Sequence, residues 1–457
     1  MKCLLIYGSG GSLYINLVIC LIFIIVNRGL AKGIADLSFV FNAWWAVVIF
    51  GYIISSDAMY PITSNVWYII GFGIIVFNLV YILRRYGTHK HIRVFLPWDN
   101  YSWDNMSYYS KILFWVEIIF FIMMLPMVLR NLPNLLSDGL LGVRSNYMGN
   151  SKNGAIMSTV ERIVYIHFGV FPGVAACTMI RAILWSRGII RFKSITIDIL
   201  NLICIVLITG ARTYIFYAAI YFCGAFFLNK KWLNWDSSKK YKRIRRNIVL
   251  LIILVAIAGF VITSQRSFGG GRSVYENLRD TLIIYFVGGI KVFDIALSNP
   301  SIYGLDNYTY GLLSISGPVS IVMLLVNAFP FIGGFAAQIP SELAQMYLVS
   351  NTIIGNHLSM NAFATMYYYF YRDFGIIGVF LGVYVFACIC ASVSRKNKNY
   401  YENKSIILDI TFLQTLLLII FSVCWWEPYR MEFWMILLQA IFWSCFAEKR
   451  GARRSSK

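Results

Sequence analysis

Apolar runs such as LVICLIFIIV, WYIIGFGIIVFNLVYIL and NIVLLIILVAIAGFVIT recur through the 457 residues, and they constrain the fold more than any other feature. A helix of about 20 apolar residues crosses the roughly 30 Å of a bilayer's hydrocarbon core. Runs of this kind lie at 12–27, 38–56, 64–83, 111–129, 162–183, 194–210, 213–228, 247–263, 374–393, 405–424 and 431–447. Hydrophobic residues make up 59% of the chain and charged ones 13%, a balance that excludes a water-soluble domain of this length. The expected fold is an all-α polytopic membrane protein with about eleven (10–12) transmembrane helices, one integral membrane domain over 1–457. The first run follows a single Lys, lacks an A-x-A-like cleavage site and is trailed by Arg28 and Lys32, so it reads as a retained span.

The net charge of +20 follows topology rather than nucleic acid. Alternating sides through the spans gathers most of the 40 Lys and Arg on the side of RRYGTHKHIR, KKWLNWDSSKKYKRIRR, RKNKNYYENK and EKRGARRSSK. By the positive-inside rule that side is cytoplasmic, and its basic loops suit anionic lipid heads. The N-terminus then lies outside and the C-terminus inside. Cations on the outer side are mostly Arg (130, 144, 162, 212, 266, 272, 279, 372 and 430). Guanidinium forks bind phosphate bidentately, which ammonium does not. The nine Cys lie in or beside apolar runs with no zinc-like spacing, so they read as packing residues.

A large outer segment, 264–373, is the expected seat of chemistry, with a second outer loop at 130–161. Its middle, GLLSISGPVSIVMLLVNAFPFIGG (311–334), is apolar but broken by Gly and Pro, which predicts a re-entrant or membrane-hugging element. In SQRSFGGGRSVYENLRD, Ser273 and Glu276 form a capping box, predicting a helix that lies on the membrane until Gly288-Gly289 with Leu278, Leu282, Tyr285 and Phe286 on one face. The Gly269–Gly271 backbone, Arg266 and Arg272 favour an anion at that helix start, while Arg272, Glu276 and Arg279 could equally pair on a solvated face.

In VLITGARTYIFYAAIYF, Arg212 is the only cation between Lys193 and Lys230 and stands at a tight hairpin turn, where it either snorkels or binds an anion. In GNHLSMNAFATMYYYFYRDFGIIG, His357 is a loop histidine or a base; Arg372 and Asp373 cap the next helix or act on substrate. Tyr367, Tyr368, Tyr369 and Tyr371 read as an interfacial belt or as sugar-stacking rings. WWEPYRMEF brings Trp425, Trp426, Glu427, Tyr429 and Arg430 together in a pattern that suits a carbohydrate site or an interface. No metal-ligand set, Walker loop or G-x-S-x-G elbow is present.

The TGARTYIF turn, the segment from QRSFGGGRSVYENLRD to IIYFVGGIKVFD, and the YRDFGIIG re-entry, in that order, resemble the bacterial oligosaccharide repeat unit polymerases, the Wzy-type O-antigen polymerases. The resemblance covers most of the chain. It implies a GT-C-like membrane glycosyltransferase of the bacterial inner membrane, facing the periplasm, with no cofactor and no metal. Its partners would be undecaprenyl-diphosphate-linked oligosaccharides, membrane lipids and a polysaccharide chain-length regulator, not nucleic acid. It implies a diphosphate clamp from Arg212, Arg266 and Arg272, with Arg279 beside them. His357, Asp373 and Glu276 are its candidate bases, and Arg372, Tyr285, Trp426, Glu427 and Arg430 its substrate contacts. An O-antigen ligase would use the same groups. A flippase or transporter would instead use intramembrane acids such as Glu117, Asp198 and Asp409.

Overall fold

A computed structural model describes residues 2–31, 36–55, 57–87, 106–147, 161, 163–228, 246, 279–280, 283–328, 352–356, 358–360, 364–396 and 406–455. The expected span 247–263 lies outside them, as do Arg266, Arg272, Glu276 and His357. Every other expected run falls on a helix. These are α1 (Lys2–Ala31), α2 (Leu37–Ser55), α3 (Ser64–Tyr86), α4 (Met106–Tyr147), α5 (Val170–Ser186), α6 (Thr196–Thr209) and α7 (Thr213–Leu228). They continue with α8 (Gly288–Ser298), α9 (Ser316–Ala328), the strands β1 (Thr352–Gly355) and β2 (Leu358–Met360), α10 (Met366–Lys396), α11 (Ile406–Phe421) and α12 (Met431–Ser455). Among the described residues, 6 helices are long and apolar enough to cross a membrane. Helices Thr213–Phe226, Ile406–Phe421 and Met431–Ser444 are apolar but shorter. The chain is a predominantly helical membrane protein.

It packs as two compact units. The first comprises 1–92, 279–396 and 415–431; the second comprises 93–278, 397–414 and 432–457. In the first unit, α1, α2 and α3 are tied by amides that hydrocarbon cannot satisfy. Asn42 and Asn78 exchange side-chain hydrogen bonds at 2.7 and 2.9 Å, and Asn27 donates to Ser38 Oγ at 2.7 Å and to Asn78 Oδ1 at 3.1 Å. Asp36 caps α2 through the Ser38 N–H at 2.9 Å, and the buried carboxylate also takes Arg85 at 3.0 Å and Tyr81 at 2.6 Å. At the opposite end, the IKVFD stretch of α8 clamps the α2–α3 connection. Lys291 reaches Pro61 O at 2.7 Å and Asp294 at 2.5 Å, and Asp294 accepts from the Thr63 N–H and hydroxyl at 3.0 and 2.6 Å.

Two expectations change here and one is extended. Helical residues 283–286 end just before Gly288-Gly289, as expected, and the glycines then start helix α8. A Cβ at Gly289 would lie 2.6 Å from Val423 O and 3.1 Å from Thr365 N, so the glycine is there to let three backbones meet. Tyr367, Tyr368 and Tyr369 are buried core rather than an interfacial belt. The reason is that α10 begins at Met366 and packs this turn inward, Tyr367 against Trp45 at 5.4 Å and over the bare backbone of Gly73. The expected loop at 130–161 is helical as far as Tyr147, because α4 continues through Pro126 and Pro133 with a break at Gly139. The described part of helix α9, 13 residues, is roughly 20 Å long.

In the second unit, α4 packs on α6 and α5 on α7. Several of its interior charged groups are paired. Arg181 Nε donates to Asp198 at 2.8 Å with both side chains fully buried, Arg187 to Asp409 at 2.5 Å, and Asn201 to the Glu117 carboxylate. The three acids that a transporter reading singled out are thus held by neighbours.

Candidate functional site

Arg212 stands where α6 turns into α7, and the TGAR sequence explains the tightness of that turn. Gly210 closes α6 in the left-handed conformation (φ 60, ψ 14), its N–H returning to Val206 O at 2.7 Å. The Thr209 hydroxyl accepts the Ala211 N–H at 3.0 Å, and Arg212's carbonyl takes the first N–H groups of α7, Ile215 and Phe216, at 3.0 and 3.1 Å. Arg212 therefore sits at the position that opens α7, its side chain half-buried. Opening helix N–H groups and a guanidinium together favour an anion.

A second arginine reaches the same turn. Arg144, on the last turn of α4, donates to Thr209 O at 3.4 Å, and its backbone N and Cβ lie 3.1 and 3.0 Å from where a Gly210 Cβ would stand. Asn131 fastens α4 to the end of α6 by donating to Leu207 O and Ile208 O at 3.2 and 3.0 Å. The sequence marks Arg144 only as a loop cation; its reach to Thr209 O depends on α4 running on as a helix. Arg130, the residue before Asn131, pairs with Glu161 at 3.2 Å. Gly210→Ala is expected to destabilise this turn by about 1–2 kcal/mol, since the φ is unfavourable and the Cβ meets α4. Thermal unfolding in detergent measures it, and a shift below that of an Ala substitution at an exposed, right-handed helical position would refute it.

The first unit gathers most of the other expected site residues at one end. Helix α10 breaks at Phe374-Gly375 (φ 63, ψ −142 at Gly375), so Arg372 and Asp373 end a short first leg before the long apolar leg begins. A Cβ at Gly375 would meet the Tyr308 hydroxyl at 2.9 Å. Asp373 is buried, and its two oxygens accept from Thr309 Oγ1 at 2.5 Å, from the Leu313 and Ser314 N–H groups at 3.2 Å each, and from the Ser314 hydroxyl. Four donors on one carboxylate make it the latch of the 309–314 turn, and a proton-accepting role would require that turn to open. Arg372 is also buried, its guanidinium beneath the Gly304 turn and 3.5 Å from the Tyr368 hydroxyl.

The WWEPYR stretch packs on the same turn. Trp426 Nε1 donates to Ser314 O at 3.0 Å, and the Ser316 hydroxyl donates to Tyr429 O at 2.9 Å. Trp425 is stacked on Phe421 at 4.5 Å, donates its N–H to Glu427 at 2.5 Å and carries the Arg430 guanidinium 5.8 Å from its ring centre. Cys424 donates to the Tyr285 carbonyl. Trp426 and Glu427, expected as substrate contacts, are buried, while Arg430 and Tyr285 are half-buried. Arg279 is exposed and pairs with Asp280 at 3.2 Å.

Sequence reasoning missed Tyr308 and Tyr310, which are 47% and 73% exposed on this turn. Tyr310 is the only non-glycine with a positive φ (51°) among the described residues, held there by its N–H on Asp373 O at 3.2 Å. A bulky residue kept in that conformation costs of order 1–3 kcal/mol and is a common mark of a working surface. No local pattern announces it. No three His, Cys, Asp or Glu side chains gather as metal ligands among the described residues. No family model, curated protein or solved structure matches this chain.

Proposed function

We propose that the protein is a lipid-linked oligosaccharide polymerase of the outer membrane face, a GT-C-like glycosyltransferase with about eleven spans. The observation that carries this reading is the convergence of Arg144 and Arg212 on the α6–α7 turn, at the end of otherwise apolar helices. Two guanidinium groups there suit a membrane-bound diphosphate. In the reaction, an acceptor sugar hydroxyl attacks the donor's anomeric carbon. The new glycosidic bond forms as the bond to the diphosphate oxygen breaks, and that oxygen takes the electron pair. Arginines aimed at it stabilise the transition state more than the ground state. The hydroxyl's proton passes to a base, for which His357 and Glu276 are the candidates in the sequence once Asp373 is seen as a latch. Tyr308, Tyr310 and Arg430 offer accessible ring faces and a cation for sugar recognition. Arg266 and Arg272 complete the proposed clamp.

A ligase, which moves finished glycan to another lipid, would use the same groups. Removing the gene from its bacterial host and resolving the lipopolysaccharide by gel separates the readings. Core carrying a single repeat unit is the expected result. Core alone would overturn the polymerase in favour of a ligase or flippase, and an unchanged ladder would overturn all three.

A further inference from the structure

At the end of the first unit away from the Asp373 latch, α3 finishes with two arginines, Arg84 and Arg85, that face different ways. Consecutive helical residues point about 100° apart, so both cannot serve the same partner. Arg85 turns inward to the buried Asp36 at 3.0 Å and the Tyr81 hydroxyl at 2.7 Å. Arg84 turns outward and lies 3.4 Å from the Tyr384 hydroxyl of α10.

Beside it runs an open groove of about 400 Å³. Its floor is one strip of α10, with Tyr384, Cys388 and Ser392 spaced by four residues and Val385 and Ile389 alongside. Val385 and Ile389 are 54% and 41% exposed, whereas Phe386, Ala387 and Cys390 on the opposite face are buried. The groove is thus apolar along its length, with a guanidinium and two hydroxyls as its polar groups. Helix α10 then runs on through two further basic positions, Arg395 and Lys396. Such an end faces the leaflet whose surface is negative.

We propose that this groove holds one anionic phospholipid, its phosphate on Arg84 and the Tyr384 hydroxyl and an acyl chain along Val385 and Ile389. The guanidinium fork matches phosphate oxygens, and the exposed aliphatic strip matches hydrocarbon. A zwitterionic lipid offers the same chain but brings an ammonium group to a surface already rich in cations. The site is independent of the proposed glycosyl transfer, since none of its residues belongs to the machinery proposed for that reaction.

Native mass spectrometry of the full-length protein, released from detergent after equilibration with equal phosphatidylglycerol and phosphatidylethanolamine, tests it. The wild type is expected to retain phosphatidylglycerol preferentially. Arg84→Ala should lower that retention about fivefold, the effect of one basic residue at a lipid surface. Ser392→Trp, which fills the groove from an exposed position, should lower it as well, while Arg28→Ala, an exposed cation at the end of α1, should not. Equal retention of the two lipids, wild-type retention by both Arg84→Ala and Ser392→Trp, or loss on Arg28→Ala equal to that on Arg84→Ala would each overturn the proposal. So would a groove found filled by a second copy of the chain.

Discussion

Arg212→Ala is expected to leave a protein that inserts and folds but makes no polymer. The side chain is half-buried at a turn whose geometry is set by Gly210, Thr209 and the carbonyl of residue 212, all of which the substitution keeps. What is lost is a cation beside the opening N–H groups of α7. Removing one donor from a site that stabilises developing negative charge lowers turnover by about 10²–10³-fold. Arg212→Lys keeps the charge without the fork and should recover part of that loss. Polymer ladders from a strain carrying each variant, with membrane abundance followed by immunoblot, measure both effects. A normal ladder from Arg212→Ala at wild-type abundance would remove the diphosphate clamp from the proposal.

Asp198→Ala should have the largest effect on stability. Arg181 and Asp198 are fully buried and joined at 2.8 Å; Arg181 also reaches Ser194 O and lies 5.8 Å from the Phe114 ring. Deleting the carboxylate leaves a guanidinium without its counterion in an apolar interior, a change worth about 3–5 kcal/mol. Against total stabilities of about 5–15 kcal/mol, that removes much of the folded population. The pair differs from its parts: Arg181→Met with Asp198→Leu removes both charges and is expected to recover most of the loss. Thermal unfolding in detergent measures all three proteins. If Asp198→Ala unfolds within about 1 kcal/mol of the wild type, the ion pair is not holding α5 to α6. A double variant no better than the single one would show that the network with Glu117 and Asn201 matters more than the pair.

The membrane helices were legible because their signal is local. Runs of apolar residues, with Gly or charges at their ends, placed α2, α3 and the long leg of α10 within a few residues. The TGAR turn was legible for the same reason, since a left-handed glycine between two apolar runs is a short-range signal. What was not legible has a different origin. The close approach at Gly289 has no local signal, because Val423 O, 2.6 Å from a would-be Cβ, is more than a hundred residues away in the chain. Three consecutive tyrosines resemble a belt until Trp45 and the space over Gly73 bury them. The donors that Thr309, Leu313 and Ser314 bring to Asp373 are likewise invisible in the sequence, because only the fold gathers them. Arg144 and Arg212 lie far apart in sequence, and only the helical continuation of α4 joins them at one turn.

The amides shared by Asn27, Asn42 and Asn78 bear on how the chain is made. Helix α1 is mostly exposed, with only 22% of its apolar window buried, so packing alone gives it little reason to stay beside α2 and α3. Hydrogen bonds between membrane helices contribute roughly 0.6–2 kcal/mol each, and here Asn27 makes two with residues of its neighbours. All of these groups emerge within the first 78 residues of synthesis. The three helices can therefore find their register while the ribosome is still translating, and present a finished surface to α10 when it arrives some three hundred residues later.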